Sequence, residues 1–453
     1  MVDEFRAAFQ ELINASVATD PQHFPPAVRK VYLLASQIPA AERELALEAL
    51  TPLLAGDQAA PGIIADLSVV AGALVEMGTD PGPTGVEVLR RLRTMGRGAI
   101  VFVRAWEHTG GGTPPDPEVV TADAENRVAT TLGTDAPGAT MCWWTIRRHG
   151  LAAKTMLSEP GVRAHIRRDP ALHAELLAIA DQLSDLLAEF EELHALLRMA
   201  QTTRALVMDR DSRRAFRVLF DGIGDNSQLH TLLADALIGP HGQGLPGDPP
   251  DPRWVAAFRD HTPDPAAQTV RGWWNLVAHD GTWVWNEGIP AEIPTVDGEH
   301  LLILDEQPYP RSWSAGRRHP HVHAWLEVES ELTPDEADLW WKRVAPAEPA
   351  IPSTHEDTEH PPLPEAITLT NDDTPAPERT RAFLPEEEDR ASTPPPESAP
   401  TQAVPHPQTN APTQRPEPHR APQPAPEPTG GNGLLPPLPP GVSKSANWGP
   451  TWR

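Results

Sequence analysis

Trp273-Trp274-Asn275-Leu276-Val277-Ala278-His279-Asp280-Gly281-Thr282-Trp283-Val284-Trp285-Asn286 is the stretch whose reading decides the fold. Asp280-Gly281 stands between two β-prone runs. That dipeptide is the strongest short-range hairpin signal, because a type I′ turn needs positive φ at both central residues. With Asp280 and Gly281 as the loop, Ala278 pairs with Trp283 and Leu276 with Trp285. Trp274, Leu276, Ala278, Trp283 and Trp285 then share the face assigned to the core. Trp273, Asn275, Val277, Val284 and Asn286 share the other.

The surroundings extend this reading. Eight of the 14 Trp residues fall between Trp273 and Trp341. A second turn, Asp297-Gly298, precedes Leu301-Leu302-Ile303-Leu304, an unbroken apolar run that predicts a strand buried on both faces. From His321 to Glu329 the chain alternates, with Val322, Ala324, Leu326 and Val328 on one side and His321, His323, Trp325, Glu327 and Glu329 on the other. Thr333-Pro334-Asp335-Glu336 predicts a helix start, with Thr333 as N-cap; Leu339, Trp340 and Val344 are its expected docking residues. Upstream, Ala205-Leu206-Val207-Met208 and 215–220 predict a strand pair joined by Asp209-Arg210-Asp211-Ser212. A helix capped by Asn226 or Ser227 comes next. Residues 201–346 therefore read as an α+β domain with a small Trp-rich antiparallel sheet.

The front half reads as helices. In 1–108, short helices alternate with turns and no repeat of fixed period occurs, which predicts a bundle. Gly110-Gly111-Gly112 with Pro114 and Pro115 marks 109–116 as a linker. Residues 117–200 read as a helical segment ending in one long helix, started by Asp169-Pro170. Its Leu172, Leu176, Ile179, Leu183, Leu186, Phe190, Leu193 and Leu197 follow heptad spacing. Such a seam needs a long partner: another helix of the bundle or, across 170–198, a second copy in a homodimer. Leu177, Leu187 and Leu196 widen the stripe and favour the internal partner.

Residues 347–453 differ in kind. They hold 26 of the 54 prolines and no aliphatic periodicity, so a disordered, proline-rich tail of polyproline II character is expected. Within it, Leu434-Leu435-Pro436-Pro437-Leu438-Pro439-Pro440 is a candidate ligand for an aromatic-lined groove. Leu435, Pro436, Leu438 and Pro439, with Trp448 and Trp452 further on, are the expected partner-binding residues.

Composition narrows the function. The formal charge of −26 disfavours a general nucleic-acid or anionic-membrane binder. Against it stand two arginine-rich clusters, 90–104 and 147–168, which keep a nucleic-acid-associated regulator as an alternative. Cys142, the one cysteine, precludes an intramolecular disulfide and a Cys-based zinc finger. The start, Met1-Val2-Asp3-Glu4-Phe5, lacks a signal-peptide pattern. No apolar run approaches the roughly 20 residues of a membrane span, so the expected location is cytoplasmic.

Three local patterns bear on chemistry. His319-Pro320-His321-Val322-His323 with Glu327 is the best metal-like constellation, His321 and His323 pointing to one side of a strand. The run from Gly316 to Glu327 partly resembles the first cupin motif: a glycine, then HxH, then a glutamate. It departs from that motif in a gap one residue short after Gly316, in Pro334 where a later glycine belongs, and in the lack of a second motif. In a straight strand Glu327 would also lie about 13 Å beyond His323. Asp209-x-Asp211 after an apolar strand is similar to the phosphotransfer motif of the haloacid dehalogenase superfamily, whose first Asp is the nucleophile. Here a second strand comes next in place of the crossover helix, and a polar hairpin turn is the reading preferred. His355 and His360 are five apart, not the four of HExxH, and would not share a helix face. No cofactor is called for. The leading expectation is an interaction or adaptor protein acting through the tail and the helical region. The alternative is a metal-dependent or hydrolytic enzyme centred on His319, His321 and His323.

Overall fold

The computed structural model describes residues 1–346. The tail residues Leu435, Pro436, Leu438, Pro439, Trp448 and Trp452 lie outside the described residues, as do His355 and His360.

Among the described residues, ten α-helices make the front half: α1 (Val2–Val17), α2 (Phe24–Ala35), α3 (Ala40–Ala55), α4 (Pro61–Glu76), α5 (Gly82–His108), α6 (Ala122–Leu132), α7 (Ala136–Leu157), α8 (Pro160–Arg168), α9 (Pro170–Ser184) and α10 (Ala188–Met199). Proline stands in the first turn of α2, α4, α5, α7, α8 and α9, where its missing N–H costs nothing. The central pair is α5 and α7, with Phe102 stacked on Trp143 at 5.7 Å. Close approach there needs small residues. A Cβ on Gly98 would collide with Cys142, and one on Gly150 would meet the Phe190 ring at 2.7 Å.

A single apolar core runs from Phe5 to Ala200, on both sides of the glycine-rich segment 109–116. That segment is pinned rather than loose: Pro115 O accepts from Trp143 Nε1 at 2.8 Å, and both Asp116 oxygens accept from Arg147.

The heptad seam is carried by two helices, not one. It breaks at 185–187, and α10 folds back against α9. Leu172, Leu176, Ile179, Leu183, Phe190, Leu193 and Leu197 are all buried inside the chain. These side chains thus find the internal partner that the widened stripe favours over a second copy across 170–198.

The arginine clusters are likewise committed. Arg91 is buried and donates to Leu54 O and Gly56 O. Arg97 pairs with Glu175, Arg147 with Asp116 and Glu189, Arg148 with Asp66, and Lys154 with Glu192. No helix among the described residues is long and apolar enough to cross a membrane.

The second half contains β1 (Arg204–Asp209), β2 (Ala215–Asp221), α11 (Asn226–Leu237), α12 (Pro252–Arg259), β3 (Thr269–Arg271), β4 (Asn275–Ala278), β5 (Thr295–Val296), β6 (Glu299–Asp305), β7 (Ser312–Ser314), β8 (Trp325–Glu331) and α13 (Pro334–Trp341). The main sheet has the order β4-β6-β1-β2-β8, with β5 beside β6. It is mixed, not antiparallel throughout, because β1 and β6 run parallel. As its apolar run predicts, β6 is buried on both faces. Leu302 and Leu304 face α11, while Leu301 and Ile303 face α13. β3 and β7 form a separate two-stranded ribbon.

Three further expectations are corrected. The hairpin loop has three residues, not two: Ala278 N donates to Thr282 O, Gly281 N to Ala278 O, and Val277 faces Trp283. Gly281 has φ +87°, the left-handed residue that closes a three-residue loop with a bulge. Because side chains alternate along a strand, the one-residue shift exchanges faces. Val284 goes into the core beside Leu276, and Trp285 goes out, 61% exposed. In α13 the docking face is Ala337 and Trp341, four apart, with Trp340 and Val344 partly covered and Leu339 60% exposed. Thr333 caps that helix as its sequence predicts, in a capping box with Glu336. The cap of α11 is Asp225, one residue before the expected Asn226.

The two halves meet at a buried ion pair. Arg163 of α8 is 1% exposed and donates to Asp221 at the end of β2 at 2.7 Å, and to Leu157 O and Ser158 O. Arg167 reaches the other Asp221 oxygen at 3.1 Å. Val322 sits beside this joint with its side chain in the helical core.

Candidate functional site

The histidine constellation does not form the expected strand site. Residues 319–324 are a turn, with Val322 N donating to His319 O, and β8 starts only at Trp325. Burial still alternates from His321 to Glu329 as the spacing predicts. The alternation sends His321 and His323 to solvent. His319 is buried, its Nε2 has no partner among the described residues, and burial pushes its pKa down to about 4. Among the described residues no three His, Cys, Asp or Glu side chains stand close enough to share an ion. Asp209 ends β1 and braces the turn that comes next, its carboxylate accepting from Ser212 N and Oγ. Cys142 is partly covered where α5 and α7 pack, and desolvation raises its thiol to about 12.

The concentrated feature is aromatic, and it is built around His230. Helix α11 places Asn226, His230, Ala234 and Leu237 along one buried stripe. His230 Nε2 accepts from the backbone N–H of both Trp273 and Trp274, at 3.2 and 3.3 Å. Its proton is therefore on Nδ1, which is buried without an acceptor. Burial, and then the nearby Arg311 charge, push its pKa down to about 3. The neutral imidazole thus fixes the bend that leads into β4. It also stacks on the Trp274 ring at 5.6 Å and lies 4.9 Å from that of Trp313, with Trp254 edge-on to Trp273 beyond.

Arg311 joins this cluster to a second. Its carbonyl accepts from Gly272 N at 2.9 Å, directly before β7. Its guanidinium lies 4.2 Å from the Trp283 ring centre and 5.0 Å from that of Tyr309. Trp283 and Trp285 stand 4.3 Å apart. Trp285 and Tyr309 are 61% and 56% exposed, whereas Trp283 and Arg311 are half-buried beneath them. Trp283 Nε1 and Arg311 Nε are buried donors without acceptors among the described residues.

The result is a strip at the sheet edge: two exposed rings over a stacked Trp–Arg layer with unused donors. Trp285 and Tyr309 thus lie on the surface and not in the core. The Trp-rich stretch is legible in the sequence, but His230, Tyr309 and Arg311 are not marked there as site residues. The available signals were the Asn226-to-His230 helical spacing and the Pro308-Tyr309-Pro310 loop, neither of which points to the hairpin without the tertiary contact. No family model, curated protein or solved structure matches this chain.

Proposed function

We propose that the chain is a protein-interaction protein and that the strip of Trp283, Trp285, Tyr309 and Arg311 is its binding surface, suited to proline-rich extended segments. The observation that carries this reading is the exposure of Trp285 and Tyr309 over a stacked Trp283–Arg311 layer. Polyproline II segments pack prolines against aromatic rings and carry backbone carbonyls with no internal partner. The strip offers its exposed rings to the first. The scaffold is held by His230 and the β4 hairpin, so little order is lost on binding. The proline- and leucine-rich runs in the tail sequence suit the same adaptor role.

The test is a fluorescence titration of the full chain with an oligoproline peptide of about nine residues, three turns of the helix. Saturable quenching of the strip tryptophans is expected, and Trp285→Ala with Tyr309→Ala should abolish it. Both residues are exposed, so the variant keeps its fold. Absence of saturable binding by the wild type, or equal binding by the double variant, removes the reading.

A further inference from the structure

The described residues end beside the strip. Ala345 N donates to His279 O at 2.7 Å, and Arg210 Nη1 donates to Ala345 O at 3.4 Å. A Cβ on Gly281 would touch the Ala345 Cβ at 3.8 Å. Residue 345 is thus pinned to the loop that leads into Trp283. Trp283 and Trp285 come two and four residues after Gly281, about 7 and 13 Å along an extended chain. The described residues therefore end against the loop that leads into the exposed strip.

That tail is proline-rich in sequence, and one run in it fits the strip. In a polyproline II helix, three residues make a turn of about 9 Å, so Leu435 and Leu438 share one edge and Pro436 and Pro439 the next. Such a run presents an apolar edge two leucines long beside a proline edge, with free carbonyls between. A second Pro-Pro-Leu-Pro run, 361–364, has His360 where this one has Leu435, and so lacks the continuous apolar edge.

We infer that residues 434–440 dock in cis on the strip of Trp283, Trp285, Tyr309 and Arg311, so that the chain masks its own binding surface until a competing proline-rich partner displaces the segment. The inference rests on the proposed function and adds its regulation. The intervening 87 residues far exceed the length needed to return to the strip. A tethered ligand acts at an effective concentration on the order of 1 mM, which weakens an outside ligand of ~100 µM affinity about tenfold.

The experiment uses the full chain and, as probe, a labelled synthetic peptide spanning 432–442. Three forms are titrated: wild type, Leu435→Ser with Leu438→Ser, and Trp285→Ala with Tyr309→Ala. The leucine variant is expected to bind the probe about tenfold more tightly than wild type, and the strip variant not at all. Equal affinity for wild type and the leucine variant, with binding lost in the strip variant, overturns the masking and leaves the proposed function standing. Binding of oligoproline but not of the probe to the leucine variant shows that the segment is no ligand, with the same consequence. Failure of both peptides on every form overturns the inference and the proposed function together. Sedimentation of the same samples separates the remaining occupant: a wild-type dimer that becomes a monomer in the leucine variant means docking on a second copy, which overturns the cis arrangement.

Discussion

Arg163 and Asp221 show what a single buried pair decides. The sequence does not join them: Arg163 reads as one member of a basic cluster, and Asp221 lies just past the strand expected over 215–220. In the fold, Asp221 accepts from both Arg163 and Arg167, and the Arg163 guanidinium closes the last carbonyls of α7. Removing one partner of such a pair strands the other charge away from water, at a typical cost of about 3–5 kcal/mol. Asp221→Asn should therefore lower the free energy of unfolding by that order in urea. Arg163→Met combined with Asp221→Leu should cost less than the sum of the single changes, because the fully buried charges leave together and only the part-exposed Arg167 loses a partner. A loss under about 1 kcal/mol for Asp221→Asn, well short of the cost of a stranded charge, would show that the joint is held by apolar packing around Val322 instead.

At the scale of elements, the β4 hairpin and the α9–α10 pair are each legible in kind and differ in detail. Asp280-Gly281 predicts a turn, and a turn is there. Loop length depends on which residue takes the left-handed conformation, and both two- and three-residue loops accept Asp-Gly. The shift moves the tryptophans outward and so creates the exposed strip. Gly281 at φ +87° holds that register. Gly281→Ala should destabilise the protein by about 1–2 kcal/mol, the cost of a Cβ in that region. The same change should lower affinity for oligoproline more than the stability loss explains, since the rings shift with the register. Unchanged stability and affinity would mean that the loop tolerates another conformation. In the seam, spacing identifies the buried stripe, but heptad periodicity survives a break at 185–187 because α9 and α10 both turn the same stripe to the core.

For the whole molecule, buried ionisable groups set the response to acid. His149 and His230 are pushed down to about 3 and His319 to about 4, burial being the main cause in each. Their folded values lie below the ordinary histidine value of about 6.5. The unfolded chain therefore binds more protons below that pH, and the stability these groups allow is present near neutrality and lost as pH falls from about 6.5 toward 4. Asp66 acts in the opposite direction: burial raises it to about 7, so its contribution is present in acid and is lost as pH rises through 7. Three histidines outweigh one aspartate. Urea unfolding should show lower stability at pH 5 than at pH 7, by about 1.4 kcal/mol per pH unit for each proton of net difference. A flat profile, or greater stability at pH 5, would contradict the burial of these imidazoles. Sequence by itself determined the helical front half, the strand pair, the doubly buried β6 and the capped α13, because periodicity, caps and turn residues act over a few neighbours. Only the tertiary structure decided the hairpin register, the placing of His230 under Trp273 and Trp274, and the meeting of Arg163 with Asp221 and of Arg311 with Trp283. Those contacts join residues tens of positions apart, and their energies come from burial and charge pairing that no local pattern encodes.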